Sequence, residues 1–121
     1  MNLEQQPVIP ELTTIEEIDK FVQLDEKVII FKAGTCWITQ RAWDILQNEI
    51  EDYPDIPVAY VTVVRYRLVS NYIAEISGIR HESPQILIMQ GNKVLYECNN
   101  MKIDQAGLKK AIHENFKSPA F

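Results

Sequence analysis

Cys36 is the side chain in this sequence with the clearest capacity for covalent chemistry, within Lys32-Ala33-Gly34-Thr35-Cys36-Trp37-Ile38-Thr39. A cysteine attacks as its thiolate, so the surroundings of the sulfur decide whether it can react. Val28-Ile29-Ile30-Phe31 precedes it, a β-branched and aromatic run expected to form a buried strand. Ile38, Ala42, Ile45, Leu46 and Ile50 follow at helical spacing, which predicts a helix beginning at or next to Cys36, with Gly34 supplying the bend. A sulfur at that junction lies near unpaired backbone N–H groups and the positive end of the helix dipole. The helix terminus contributes about 0.3–1 kcal/mol, less than the roughly 1.4 kcal/mol that corresponds to one pK unit. Hydrogen bonds or a cation must add the rest, and Thr39 and Lys32 are the candidate supports. A small buried hydrophobe at a helix start fits the same spacing equally well.

The other reactive residues point to less. Cys98 ends an apolar run and is expected to pack as a small hydrophobe. His81 lies in the loop Arg80-His81-Glu82-Ser83-Pro84; there it either makes a local hydrogen bond or, protonated, favours a nearby thiolate. His113 belongs to a terminal helix and is expected at the surface. Cysteines and histidines are not at zinc-ligand spacing, so no metal site is expected. Trp43, Tyr53, Tyr60 and Tyr66 read as packing residues, and Arg65 and Arg67 as a solvated pair.

These residues need a scaffold, and the pattern supplies one. Met1 to Thr13 holds Pro7 and Pro10 and reads as an irregular arm. Thr14-Ile15-Glu16-Glu17 has capping-box spacing and opens a first helix that closes near Leu24. The Cys36 helix ends before Tyr53-Pro54. Val58 to Val64 reads as an interior strand covered on both faces. Ser70 is the expected cap of a short third helix, with Gly78 as its stop. Ile86–Met89, the Gly91-Asn92 turn and Lys93–Cys98 form a hairpin, and Asp104 opens a last helix before a frayed tail beyond Ser118. The first two strands, joined through a helix, are parallel, and the last two antiparallel. An α/β fold with a mixed four-stranded sheet and helices on both faces follows, which is the thioredoxin-like arrangement.

The whole chain, residues 1–121, reads as one domain. A net charge of −5 argues against nucleic-acid binding, and no apolar run approaches the roughly 20 residues a membrane span requires. Two distant cysteines and no secretory signal lead us to expect a cytoplasmic protein with reduced thiols.

Thr35-Cys36-x-Ile38-Thr39 resembles the Thr-Cys-Pro-Ile-Ser signature of the YtxJ-type bacilliredoxins, thioredoxin-like proteins of bacillithiol-producing bacteria. Ser70-Asn71-Tyr72-Ile73-Ala74-Glu75 and His81-Glu82-Ser83-Pro84-Gln85 are similar to two further family signatures, in register. The resemblance implies a monothiol oxidoreductase whose Cys36 takes bacillithiol from modified client proteins, with a second bacillithiol as co-substrate and no bound cofactor. It agrees with Thr39 standing where a second cysteine of a Cys-x-x-Cys pair would be. It also implies a cis Ser83–Pro84 bond in a loop facing the cysteine, with Ser83 in the client groove, and lets Arg65 and Arg67 attract bacillithiol carboxylates. Trp37 departs from the family's proline. If its ring shielded the sulfur, the chain would be a binding or adaptor protein that kept only the scaffold. Clients and oligomeric state are not legible in the sequence.

Overall fold

The computed structural model describes residues 9–116. Along the chain run α1 (Ile15–Phe21), β1 (Lys27–Ala33), α2 (Trp37–Ile50), β2 (Val58–Thr62), α3 (Arg67–Ser77), β3 (Gln85–Gln90), β4 (Lys93–Asn99) and α4 (Gln105–Asn115). The strands form one sheet in the order β2-β1-β3-β4, with β1 parallel to β2 and both other pairs antiparallel. This is the expected α/β thioredoxin-like arrangement.

Alternation along the strands sorts the core into two layers. Ile29 and Phe31 of β1 and Ile86 and Ile88 of β3 face α2 and α4, where Ala42, Leu46, Leu108 and Ile112 meet them. Val28, Ile30, Leu87 and Met89 point the other way, onto Ile18 of α1 and Val69 and Ile73 of α3. Fully burying one such aliphatic side chain stabilises by about 1.5–3 kcal/mol, so each helix is fixed by its own apolar stripe.

Local chemistry sets the ends. The Thr14–Glu17 capping box forms in full, and the Asp104 carboxylate accepts from Gly107 N–H at 2.7 Å to start α4. Gly78 closes α3 at φ 71°, a left-handed conformation that glycine adopts without a Cβ clash.

Three expectations need correction. α3 begins at Arg67 rather than being capped by Ser70, whose hydroxyl lies inside the helix and is engaged by His81. α1 stops at Phe21 instead of Leu24; Leu24 is left in solvent. β2 is buried on its faces but lies at an edge of the sheet, with Val64 beyond its end. That edge is protected by the stretch expected to be irregular. Tyr60 N–H donates to Pro10 O and Leu12 N–H to Tyr60 O, and Leu12 is buried. The first eight residues of the arm and the tail beyond Ser118 lie outside the described residues.

The topology brings three connections to one end of the sheet. Ala33 is in register with Thr62 at the ends of β1 and β2, and Lys32 with Gln85 at the start of β3. The segments 34–36, 63–66 and 78–84 therefore meet there.

Candidate active site

Cys36 is the N-cap of α2, with extended backbone angles, and is exposed. Its sulfur makes no capping hydrogen bond to the first helical turn. The side-chain partner it has is Thr39, whose Oγ1 stands 4.0 Å from Sγ. That hydroxyl accepts from Gly34 N–H at 3.1 Å, which fixes its orientation and leaves its proton free to point at the sulfur. A serine hydroxyl at this position can take the same geometry. Thr35 stands in solvent beside the cysteine. Trp37 is 71% exposed, so the indole projects into solvent and leaves the sulfur accessible.

The loop ahead of β3 packs against the turn that carries the cysteine. The Ser83–Pro84 peptide bond is cis, and Pro84 is buried. A Cβ added to Gly34 would lie 2.9 Å from Ser83 Oγ, 3.2 Å from Ser83 Cβ and 3.3 Å from Thr39 Oγ1. Gly34 is thus favoured by close approach rather than by a bend, because any side chain there must displace Ser83 or Thr39 and its φ is not in the left-handed region. Ser83 makes no backbone–backbone hydrogen bond among the described residues, so its peptide groups are free to pair with a bound chain.

Lys32 makes no hydrogen bond to Cys36 or Thr39 among the described residues. Alternation puts its side chain with Val28 and Ile30, on the face opposite α2, and its Nζ reaches Ser70 O of α3 at 3.4 Å. It is fully buried, and burial brings its pKa down to about 8, with Glu82 opposing the shift. On that face it lies next to Gln85, whose Nε2 donates to Arg80 O and Glu97 Oε2 while its buried Oε1 has no partner. His81 makes the local hydrogen bond, Nδ1 to Ser70 Oγ at 3.1 Å. Burial and the Lys32 charge lower its pKa; Glu82 opposes this and Arg67 adds to the lowering. The imidazole is held towards its neutral form, contrary to a cation that supports the thiolate. Ser70 and Gln85 are the site-flanking residues the sequence reading missed. The alternation Val28, Ile30, Lys32 was the signal that turns the Lys32 side chain to the α3 side of the sheet.

Cys98 is partly buried against the α2-side core and unbridged. It pairs in register with Ile86, which pairs with Phe31, so it stands two strands away from β1, roughly 10 Å at ordinary strand spacing. Trp43 packs between Phe31 and Tyr60, with ring centroids 5.3 and 5.4 Å apart. No group of three or more His, Cys, Asp or Glu suited to a metal ion occurs among the described residues, and no helix there is long and apolar enough to cross a membrane.

Comparison with known proteins agrees with this geometry. A candidate oxidoreductase with a thioredoxin fold superposes with a TM-score of 0.79 at 26% identity, covering 91% of this chain and 98% of its own. Mitochondrial thioredoxin 3 from Saccharomyces cerevisiae, in its oxidised form, gives 0.69 at 19% identity over 88% and 94% of the two chains. Thioredoxin from Malassezia sympodialis gives 0.73 at 15% identity over 94% and 96%. The latter two are similar in fold alone. The family model described as monothiol bacilliredoxin BrxC matches residues 10–108, which span the Cys36 turn, the Ser83–Pro84 loop and the whole sheet. With one exposed cysteine at the start of α2 and no second cysteine in reach, the chain belongs to the monothiol bacilliredoxin family of thioredoxin-fold proteins.

Proposed function

We propose that the protein removes bacillithiol from client cysteines by monothiol exchange, with Cys36 as the nucleophile. The Cys36 thiolate attacks the bacillithiol sulfur of the mixed disulfide. A bond forms between the two sulfurs as the client's S–S bond breaks, and the client leaves as a thiolate that takes a proton from water. The thiolate of a second bacillithiol then attacks the sulfur held on Cys36, releasing oxidised bacillithiol and regenerating the Cys36 thiolate. Thr39 donates to Cys36 whenever it carries charge, and the Ser83 backbone pairs with the client chain. The reaction needs no bound cofactor and belongs in a reducing cytoplasm.

One observation carries this reading: an exposed sulfur at the start of α2 lies at the sheet end where Ser83, with free peptide groups, packs against Gly34, and no partner cysteine stands nearby. The adaptor reading required the indole to close off the sulfur, and the exposure of both Trp37 and Cys36 gives it no support. The test uses a client bacillithiolated at a single cysteine, with reduced bacillithiol present. Wild type and Cys98→Ser should restore the client's unmodified mass, and Cys36→Ser should not. Equal restoration by Cys36→Ser would overturn the assignment.

A further inference from the structure

We infer that Arg65 and Arg67 form a carboxylate-binding subsite for the small-thiol half of the mixed disulfide. This rests on the exchange proposed above and adds how its two halves are told apart. The turn between β2 and α3 lies at the active end of the sheet, tied there by Val63 N–H donating to Ala33 O at 3.0 Å. It presents Arg65 and Arg67 to solvent between the exposed apolar residues Val64 and Leu68. Arg67 opens α3 one turn before Ser70, whose hydroxyl meets His81 Nδ1 of the loop ahead of β3 at 3.1 Å. The Arg65 guanidinium is held 5.7 Å from the Tyr66 ring centre, which limits its freedom before any ligand arrives.

The pair carries no counter-ion within the described fold. The chain carries 17 acidic against 12 basic side chains. Even so, neither arginine has a carboxylate within ion-pair distance or donates a hydrogen bond among the described residues. Of the acids at this end of the sheet, Glu82 is engaged by Arg80 at 3.8 Å and by Asn100 Nδ2, and Glu11 accepts from Thr62 Oγ1 at 2.6 Å. Two unpaired forks at the same end of the sheet as a reactive sulfur match a ligand bearing carboxylates, which guanidinium groups bind in bidentate fashion. The unpaired Ser83 backbone offers an extended chain a separate wall. The client half belongs there and the anionic small thiol at the arginines.

Two symmetric aromatic disulfides separate the contributions in rapid-mixing kinetics on the full chain. Dithiobis-nitrobenzoate carries a carboxylate on each ring and dithiodipyridine carries none at neutral pH. Each transfers one aryl thiol to Cys36 and releases the other, which is read by absorbance. Cys36→Ser supplies the background from Cys98. At low salt, Arg65→Ala/Arg67→Ala should slow the nitrobenzoate reaction about three- to tenfold, as expected for two exposed ion pairs, and leave the dipyridine rate within about twofold. Salt should erase the difference in the wild type. Equal slowing of both reagents, or of neither, overturns the subsite. So does a loss confined to an acidic peptide carrying a neutral small thiol, because the occupant would then be the client. Failure of Cys36 to react with either reagent would instead remove the exchange reading itself, and the subsite with it.

Discussion

Gly34 and Ser83 touch so closely that a side-chain carbon on the glycine would stand 2.9 Å from the serine Oγ. This contact joins the turn that carries Cys36 to the loop that carries the cis Ser83–Pro84 bond. Gly34→Ala should therefore displace Ser83 and, through the 3.3 Å approach to Thr39 Oγ1, the hydroxyl beside the sulfur. We expect a stability loss of about 1–3 kcal/mol, typical of overpacking, and a several-fold fall in the Cys36 alkylation rate. Adding Ser83→Ala removes the Oγ clash and should restore part of both. Denaturant unfolding and alkylation kinetics on the four proteins of the cycle check this.

Thr39 has two roles through one oxygen, accepting from Gly34 N–H at 3.1 Å and facing Sγ at 4.0 Å. Thr39→Val keeps the shape and removes both, leaving the Gly34 N–H unpaired at a cost of about 1–3 kcal/mol. Thiol exchange at Cys36 should slow along with it. Thr39→Ser keeps the hydroxyl and should behave as wild type in both assays.

Lys32 allows a prediction with a definite sign. Its folded pKa of about 8 is below the ordinary 10.5 because burial penalises the charge. Between those two values the unfolded chain binds more protons than the folded one, so this group's contribution to stability rises with pH. Below about pH 8 the full penalty for burying the ammonium is present. Lys32→Met should then stabilise the protein at neutral pH, by about 1–4 kcal/mol if the pocket packs well. The advantage should shrink as pH climbs towards 10.5. Melting curves of both proteins across that range read the difference directly. An advantage that grows with pH would contradict the assignment.

His81 should titrate below its ordinary 6.5, mainly through burial and the Lys32 charge. Proton NMR of the imidazole measures this, and Arg67→Ala should move the midpoint upward. Because the ring is neutral above that midpoint, His81→Ala should leave the exchange rate at pH 7 within about twofold.

Much of the scaffold was legible because local signals agreed. The Thr14–Glu17 box, Gly78, the Gly91-Asn92 turn and the alternating strands each point to the element that forms. What escaped depended on neighbours distant in sequence. Ser70 has the chemistry of a cap, but His81, eleven residues on, takes its hydroxyl inside the helix. Pro10–Leu12 lacks any strand pattern, and its pairing exists because β2 leaves an open edge. Cys36 was readable from the strand-to-helix junction, whereas the burial of Lys32 against Ser70 O depends on a helix 38 residues away in sequence. Gly34 read as a bend, since nothing in the sequence shows that Ser83 lies against it. The isomer of the Ser83–Pro84 bond came from family resemblance; composition alone favours trans.

The most direct test of Cys36 as the acceptor of the small thiol is the intact mass of the protein after incubation with oxidised bacillithiol. Wild type and Cys98→Ser should each gain one bacillithiol, lost again on adding excess reduced thiol, and Cys36→Ser should gain none. An unmodified wild type, or an adduct that persists in Cys36→Ser, would contradict the account.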